Sequence, residues 1–239
     1  MGDGAALVLE SGAVPAGPSS VSRWFTARVT RAWAESETLR GLALEAPEVS
    51  RFHERPGQYL RVRLAGDERP YALASEPGAA ELELLFKAET DLTSAMRQLA
   101  PGAALLVGTP QGKGFPVHEH VDQDLILCAA GTGIAPLRAV VRSVLPERER
   151  YGRVVLFYGQ RTASHFAYAG ERPAWRAGGV ELHLVASEDG PRLQDAVRAR
   201  QPVTATACAY LCGMRPMVND LARILEELGL PRERVFLNY

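Results

Sequence analysis

The sequence predicts a protein of two domains, an N-terminal antiparallel β-barrel followed by a C-terminal α/β domain built on a parallel sheet. Between residues 25 and 107, short runs of alternating apolar and polar residues are separated by glycine and proline, as in the strands of a barrel. From residue 124 onward, apolar strands alternate with helical patterns, as in a parallel sheet covered by helices. With 239 residues, of which 46% are hydrophobic, the chain is long enough for two modest cores.

The predicted domain boundaries follow changes in composition along the chain. Residues 1–22 are rich in glycine, alanine, proline and serine, and we expect them to form a flexible arm rather than a signal peptide. Residues 23–118 form the predicted barrel, and residues 119–239 form the predicted α/β domain. The boundary lies in a polar connector that contains His118, Glu119 and His120.

Six strands and one helix are predicted in the barrel domain. The helix begins near Thr93 and Ser94, whose hydroxyl groups suit a helix start, and it ends before Pro101. The strands have the sequences FTARVTRAW, LRGLALEA, QYLRVRLA, YALAS, LELLFKA and ALLVG.

Five strands and four helices are predicted in the α/β domain. The strands are LILCAA, VVLFYG, ELHLVAS, AYLCG and RVFLNY, and the helices are PLRAVVRSVL, a short helix near HFAYAG, RLQDAVRAR and MVNDLARILEELG. Ligands of such domains lie at the carboxyl ends of the strands, so residues that follow these strands are candidates for a binding site.

Composition and charge exclude several classes of function. A net charge of −1 and a pI near 6.5 provide no general basic surface for nucleic acid or an anionic membrane. The longest apolar runs, such as residues 154–158, are far shorter than the roughly 20 residues of a membrane span. The three cysteines contain no C-x-x-C pair, and only His118 and His120 are closely spaced, so no metal site or disulfide framework is predicted. These features favour a cytoplasmic protein.

The clearest candidate for ligand binding is the turn Gly131, Thr132, Gly133 that follows the strand LILCAA. A buried strand, a tight turn and a helix start together present free N–H groups, and such a start binds phosphate or pyrophosphate. The spacing differs from the dinucleotide motif G-x-G-x-x-G, because Pro136 stands at the third glycine. Taken alone, the same residues also suit an ordinary strand-to-helix turn without a ligand.

Three motifs in order resemble those of the ferredoxin-NADP reductase superfamily, two-domain flavoproteins that pass electrons between a nicotinamide and a separate acceptor. The motifs are RPYALAS at residues 69–75, GTGIAP at 131–136 and CGMRP at 212–216, and the resemblance runs from about residue 25 to residue 239. The segments GKGF at 112–115 and VFLNY at 235–239 resemble a little-studied plant and bacterial branch. The resemblance implies that the barrel binds FAD and that the α/β domain binds NAD(P)H.

The resemblance assigns the FAD contacts to two segments of the barrel. Arg69 would hold the pyrophosphate and Tyr71 would pack on the isoalloxazine ring, although Arg69 could instead pair with Glu68 and Tyr71 could be ordinary core. Ala72 stands where many relatives have a serine, and the missing hydrogen bond should slow hydride transfer by a few-fold to about tenfold. Lys87 either supplies charge near the cofactor or is an exposed strand lysine. The predicted FAD contacts are Arg69, Tyr71, Ala72, Leu73, Ser75, Thr93 and Ser94.

The resemblance assigns the nicotinamide contacts to the α/β domain. Cys212 would lie against the nicotinamide and the terminal Tyr239 over the flavin, although Cys212 could be a small buried residue and Tyr239 a frayed end. Asn238 stands where the family usually has an acidic residue. The predicted NAD(P) contacts are Gly131, Thr132, Gly133, Arg161, Ser187, Gly213 and Met214.

The sequence slightly favours NADH over NADPH. Glu188 and Asp189 follow the strand at which the adenosine ribose should lie, and carboxylates repel a 2′-phosphate but accept hydrogen bonds from a free 2′-hydroxyl. Arg161 and Arg192 would reverse this preference if they fold over the same place.

The predicted function is therefore that of an FAD-dependent NAD(P)H oxidoreductase that passes electrons to a separate protein or small-molecule acceptor. Ferredoxin, flavodoxin or another redox partner would serve as acceptor, with no role for nucleic acid or membrane insertion. One alternative is an electron-input subunit of a larger complex. Another is a nucleotide-binding regulatory module that has lost flavin chemistry, which Ala72 and Asn238 would suggest.

Overall fold

The structure is a computed structural model that describes residues 23–238. The predicted arm at residues 1–22 and Tyr239 lie outside the described residues, so those two predictions stay open.

The barrel domain contains six antiparallel strands, as the sequence predicts. Its sheet has the order β4-β3-β6-β1-β2-β5, and a bridge between Leu73 and Leu84 brings the end of β4 beside β5, which nearly closes the barrel. The elements are β1 (Phe25–Ala34), β2 (Leu39–Glu45), α1 (Pro47–Ser50), β3 (Tyr59–Leu64), β4 (Asp67–Ala72), β5 (Leu82–Lys87), α2 (Asp91–Arg97) and β6 (Ala104–Val107).

The α/β domain contains a five-stranded parallel sheet in the order β11-β10-β7-β8-β9, which confirms the predicted fold class. Residues of α3 and α4 pack in the core on one face of the sheet, and residues of α5 and α6 pack on the other. The elements are β7 (Leu125–Ala130), α3 (Ile134–Val144), β8 (Val154–Gln160), α4 (Arg172–Ala177), β9 (Val180–Ala186), α5 (Leu193–Arg200), β10 (Cys208–Cys212), α6 (Arg215–Glu227) and β11 (Val235–Leu237).

Two helices differ from their predicted positions. The segment HFAYAG is not a helix: a single 3-10 turn covers Ala163–His165, and α4 begins later, with Pro173 in its first turn, where proline is well tolerated. Tyr168 interrupts the predicted helix with a φ of 59°, which a helix does not accept. The helix α2 begins two residues earlier than predicted, because Thr90 rather than Thr93 is its N-cap.

The strand β5 packs against both domains, because both of its faces are buried. Alternate residues of a strand point to opposite faces, and Leu84 and Phe86 lie in the barrel core while Leu85 lies in the core shared with α3. The segment that leads from the barrel into the second domain also packs on that domain, because the rings of Phe115 and Tyr210 lie 4.9 Å apart. The predicted boundary at residues 118 and 119 falls within the 3-10 turn Val117–Glu119 and stays a prediction.

Within residues 23–238, no helix combines the length and the apolar character needed to cross a membrane.

Candidate active site between the two domains

A cleft of about 710 Å³ lies between the barrel and the α/β domain, and residues of all three motifs line it. Its barrel wall includes Pro70, Tyr71, Ala72, Leu85, Phe86, Lys87 and Thr93. Its opposite wall includes Ala130, Gly131, Thr132, Gly133, Cys212, Gly213 and Met214. Motifs that are as far as about 140 residues apart in the chain therefore line one space.

The topology of the parallel sheet explains this convergence. The strands β7 and β10 are neighbours, and Cys212 pairs with Ala129 at their carboxyl ends. The turn after β7 and the turn after β10 therefore leave the sheet at the same edge, which is where ligands bind in α/β domains.

The turn Gly131–Gly133 touches the end of β10 so closely that a side chain at its last position does not fit. A Cβ atom at Gly133 would lie 2.4 Å from the carbonyl oxygen of Cys212. Gly131 adopts a φ of 59°, which glycine accepts without strain, and a Cβ atom there would meet nothing within 4 Å. Gly133 therefore allows two backbone segments to approach closely, whereas Gly131 allows a left-handed turn.

The buried phenol of Tyr158 holds this turn in place. Its hydroxyl donates a hydrogen bond to the carbonyl oxygen of Gly131 at 3.3 Å and accepts one from Gln160 Nε2 at 2.7 Å. Among the described residues no side chain caps the start of α3, although the backbone N–H of Ile134 bonds to the carbonyl oxygen of Thr132 and Pro136 has no N–H. The positive end of the helix dipole favours an anion such as a pyrophosphate at this place.

Cys212 lies at the floor of the cleft as a neutral thiol. Burial raises the pKa of Cys212 to about 11, so the sulfur stays protonated at neutral pH and is not an activated nucleophile. Asn238 places its amide nitrogen 3.6 Å from this sulfur. Gly213 follows with a φ of 153°, and a Cβ atom there would lie 2.4 Å from Met217 Cε. The lack of a side chain at Gly213 therefore lets the turn after β10 pack closely against Met217 and Ala130.

On the barrel side, Tyr71 presents a polar atom that lacks a partner. Its hydroxyl is buried and makes no hydrogen bond with any part of the described chain. Burial raises the pKa of Tyr71 to about 12, so the phenol keeps its proton. A buried donor without a partner costs free energy, and a bound ring system with acceptor atoms would satisfy it. Ala72 lines the cleft next to Tyr71 and contributes no side-chain hydrogen bond.

Arg69 lies outside the lining of the cleft, on the face of β4 that it shares with Tyr71. Its guanidinium Nε lies 3.2 Å from Asp67, and the side chain is about half exposed. Its expected alternative partner, Glu68, pairs with Arg61 and Arg63 instead. The position leaves Arg69 available to a ligand that extends beyond Tyr71, and its role stays a prediction.

The remaining predicted FAD residues divide into those inside and those outside the cleft. Thr93 lines the cleft, and its hydroxyl also accepts the backbone N–H of Thr90 at 2.9 Å. Ser94 is exposed and does not line it. Leu73 is fully buried in the barrel core, and Ser75 Oγ accepts the backbone N–H of Glu83 at 3.1 Å. These last two side chains are committed to packing, and their assignment as FAD contacts is untested.

The cleft continues across the edge of the parallel sheet into a second space of about 570 Å³. Both spaces share Ala130, Gly131, Gln160, Arg161 and Met214, so they form one groove. Ser187 and Arg192 line the far part. Arg161 Nε lies 3.5 Å from Glu188, so a cation and a carboxylate stand beside each other where the sequence predicts the ribose.

Several residues that line the cleft were missed by sequence reasoning. Gln160 stands at the carboxyl end of β8, a position that could have been recognised from the strand pattern alone. Thr38 and His165 come from loops of the two domains that meet only after the domains pack, and no local sequence signal marks them. Lys87 does line the cleft and forms an ion pair with Glu89.

Comparison with known proteins agrees with this architecture. The family described as the oxidoreductase NAD-binding domain matches residues 127–223. The sulfhydrogenase 1 subunit gamma of Pyrococcus furiosus is 30% identical over 217 residues, covering 85% of this chain and 74% of that protein. The ferredoxin reductase component of 3-ketosteroid-9-alpha-monooxygenase from Rhodococcus rhodochrous is 29% identical over 237 residues, covering 93% of this chain and 65% of that protein. The chain thus spans about two thirds to three quarters of these two relatives.

Solved structures show the same fold. A ferredoxin NADP+ reductase from Neisseria gonorrhoeae with bound FAD and NADP has a TM-score of 0.77 at 18% identity, covering 90% of this chain and 97% of that one. An Amycolatopsis cytochrome P450 reductase has a TM-score of 0.79 at 23% identity, covering 90% of this chain and 69% of that one.

A barrel and a dinucleotide-type α/β domain that share one cleft are the architecture of two-domain reductases, and the matched NAD-binding family is one of oxidoreductases. The chain belongs to the ferredoxin-NADP reductase superfamily.

Proposed function

We propose that this protein is an FAD-dependent oxidoreductase that takes a hydride from NAD(P)H and passes electrons to a separate acceptor. The observation that carries the proposal is the single cleft into which both the predicted flavin residues and the predicted nicotinamide residues open. Hydride transfer needs the reacting atoms of the two cofactors about 3–3.5 Å apart, and only a shared cleft allows this.

The residues of the barrel wall fit a flavin. Tyr71 offers a flat ring and an unpartnered buried hydroxyl, and Arg69 on the same face of β4 offers a guanidinium to a phosphate. Thr93 lines the same wall and carries a hydroxyl. When bound, FAD would accept the hydride and release electrons to the acceptor, and the protein would position it.

The residues of the opposite wall fit a nicotinamide dinucleotide. The turn Gly131–Gly133 and the start of α3 would hold the pyrophosphate, and the groove past Arg161 and Ser187 would hold the adenosine. Cys212 and Gly213 would form a close floor for the nicotinamide ring, with the sulfur as a neutral contact. We favour NADH slightly, because Glu188 stands beside Arg161 and offsets its charge where a 2′-phosphate would lie. Arg192 also lines this part of the groove, and its charge favours NADPH.

A second candidate function is that of an electron-input subunit of a larger oxidoreductase. Two relatives that are subunits of larger enzymes support it. One is the sulfhydrogenase 1 subunit gamma. The other is the electron transfer subunit of dihydroorotate dehydrogenase B from Geobacillus kaustophilus, which is 28% identical over 179 residues. The regulatory module stays a third possibility, supported by Ala72 and Asn238 alone. A cytoplasmic location is part of the proposal, supported by the free thiols of Cys128, Cys208 and Cys212.

Anaerobic absorbance spectroscopy of the purified chain tests the proposal. We expect a yellow protein, or one that becomes yellow with added FAD, whose flavin absorbance is bleached by NADH faster than by NADPH. Turnover with ferredoxin, flavodoxin, cytochrome and quinone then identifies the acceptor class. Flavin that is bleached while none of these acceptors is reduced would favour the subunit, and a chain that cannot be loaded with FAD would refute the enzyme and favour the regulatory module.

A further inference from the structure

A buried arginine of α3 lies where the two domains meet. The side chain of Arg138 is only 5% exposed, and a buried charge is costly unless it is paired and hydrogen-bonded. Nη1 of Arg138 donates to Glu83 Oε2 at 2.6 Å and to the carbonyl oxygen of Ala74 at 2.9 Å. Its Nε and Nη2 donate to Glu171 at 2.9 Å and 2.5 Å. The guanidinium also lies 4.7 Å from the centre of the Tyr168 ring.

These partners hold Arg138 firmly in one orientation. A planar guanidinium with directional bonds to two carboxylates and one carbonyl has little freedom to rotate. Although burial alone would lower the pKa of Arg138, Glu171 and Glu83 together raise it above its ordinary value, so the cation is retained.

The partners of Arg138 belong to both walls of the cleft. Glu83 lies on β5 on the same face as Leu85, which lines the cleft. Ala74 comes two residues after Ala72, which also lines it. On the other side, Arg138 lies five residues after Gly133 on the same helix that begins at the nucleotide turn. One side chain therefore connects the predicted flavin wall to the predicted nicotinamide wall.

We propose that Arg138 is a positioning residue that fixes the turn Gly131–Gly133 relative to β4 and β5, and thereby sets the rate of hydride transfer. The proposal rests on the proposed function. Loss of Arg138 would let α3 shift against β5 and move the two rings out of contact distance. Binding of each cofactor depends on its own wall, so affinity should change much less than rate.

Other contacts keep the domains together when Arg138 is changed. Arg142, one turn further along α3, lies 2.7 Å from Glu76 and 3.7 Å from Glu83. Glu35 of the barrel accepts the backbone N–H of Tyr168 at 2.5 Å. Because Arg142 is 32% exposed and farther from Glu83, it is a matched control on the same helix and the same interface.

The test compares Arg138→Lys and Arg138→Met with Arg142→Lys and Arg142→Met in FAD-loaded protein. Anaerobic stopped-flow absorbance gives the limiting rate of flavin reduction by saturating NADH, the concentration of NADH at half that rate, and the long-wavelength absorbance of the stacked rings. We expect both Arg138 variants to lose about 10-fold to 100-fold in limiting rate, with weaker long-wavelength absorbance and half-saturation within about threefold of the parent. The Arg142 variants should stay within about threefold in rate.

Two results would overturn the proposal. If the Arg138 variants melt at lower temperature but reduce bound flavin within twofold of the parent rate, Arg138 only stabilises the fold. An equal loss of rate in the Arg142 variants would mean that the interface as a whole, and not Arg138, positions the rings. If Arg138→Met does not fold, Arg138→Lys and Glu171→Gln replace it in the same comparison. The Glu171 side chain is 34% exposed, so its substitution should disturb folding less. A parent protein that cannot be loaded with FAD would instead refute the proposed function itself.

Discussion

Replacing Gly133 with alanine should lower kcat/KM for the nicotinamide nucleotide by about 100-fold while the FAD content stays unchanged. A Cβ atom at position 133 would lie 2.4 Å from the carbonyl oxygen and 2.6 Å from the carbonyl carbon of Cys212. Ordinary contact begins near 3.4 Å, so the turn and the end of β10 would have to separate by about 1 Å. Because both obstructing atoms are backbone, no side-chain rotation relieves the clash.

The magnitude follows from what that separation does to the proposed site. A displacement of about 1 Å in a reacting geometry costs about 100-fold in rate, which corresponds to about 2.7 kcal/mol of transition-state stabilisation. The larger Gly133→Val substitution should raise KM further. The flavin wall is built from the other domain, so it should keep its FAD.

Steady-state turnover with an artificial acceptor, together with released FAD measured by absorbance, checks this prediction. Gly170→Ala is the control, because a Cβ atom there would meet nothing within 4 Å. A kcat/KM within about threefold of the parent would show that Gly133 is not part of the nucleotide site. Equal loss of FAD and of activity would show that the substitution unfolds the chain and does not act through the nucleotide turn.

Three further predictions concern the flavin wall and the thiol. Ala72→Ser should restore a hydroxyl beside the flavin and raise the rate of flavin reduction by up to about tenfold, measured by stopped-flow absorbance; an unchanged rate would contradict it. Arg69→Ala should weaken FAD retention about 10-fold to 100-fold, because hydrogen bonds to charged groups contribute about 1.5–3 kcal/mol, whereas the control Asp67→Asn should retain FAD in equilibrium dialysis. Because burial raises the pKa of Cys212 to about 11, the thiol is neutral below that pH, and kcat should show no inflection from this group between about pH 6 and about pH 9. An inflection in that range that disappears in Cys212→Ala would refute the last prediction.

The fold could be predicted because its signals are local. Alternating runs such as FTARVTRAW predict β1 almost to the residue, and the strand-helix alternation predicts the parallel sheet. The errors occur where tertiary contacts override local preference. Tyr168 leaves the predicted helix because its backbone N–H bonds to Glu35 in the other domain, and that contact has no trace in the segment HFAYAG.

The candidate site could be predicted where it depends on backbone shape, and not where it depends on docking. The motif glycines are visible in the sequence, and Gly131, Gly133 and Gly213 all lie in the cleft. Glu83 and Arg138 each interrupt an apolar run, LELLF and PLRAVV, which is an unusual place for a charge. Two opposite charges in two buried segments suggest a buried pair, but only the packing of α3 against β5 shows that they are partners.

The arrangement of the cleft indicates why such a site depends on shape more than on acid and base groups. Cys212 and Tyr71, which line opposite walls of the cleft, are both neutral at physiological pH, and burial raises the pKa of each further. A hydride carries its own electron pair, so a protein that positions two rings has no proton to move at the reacting carbon. Rate is then set by distance, and the distance here depends on two contacts: the turn at Gly133 against the backbone of Cys212, and the buried pair of Arg138 with Glu83. The first fixes the nucleotide within its own domain and the second fixes that domain against the flavin wall. Substitutions at either contact should therefore act on the same step, and a double variant should lose less than the product of the single losses.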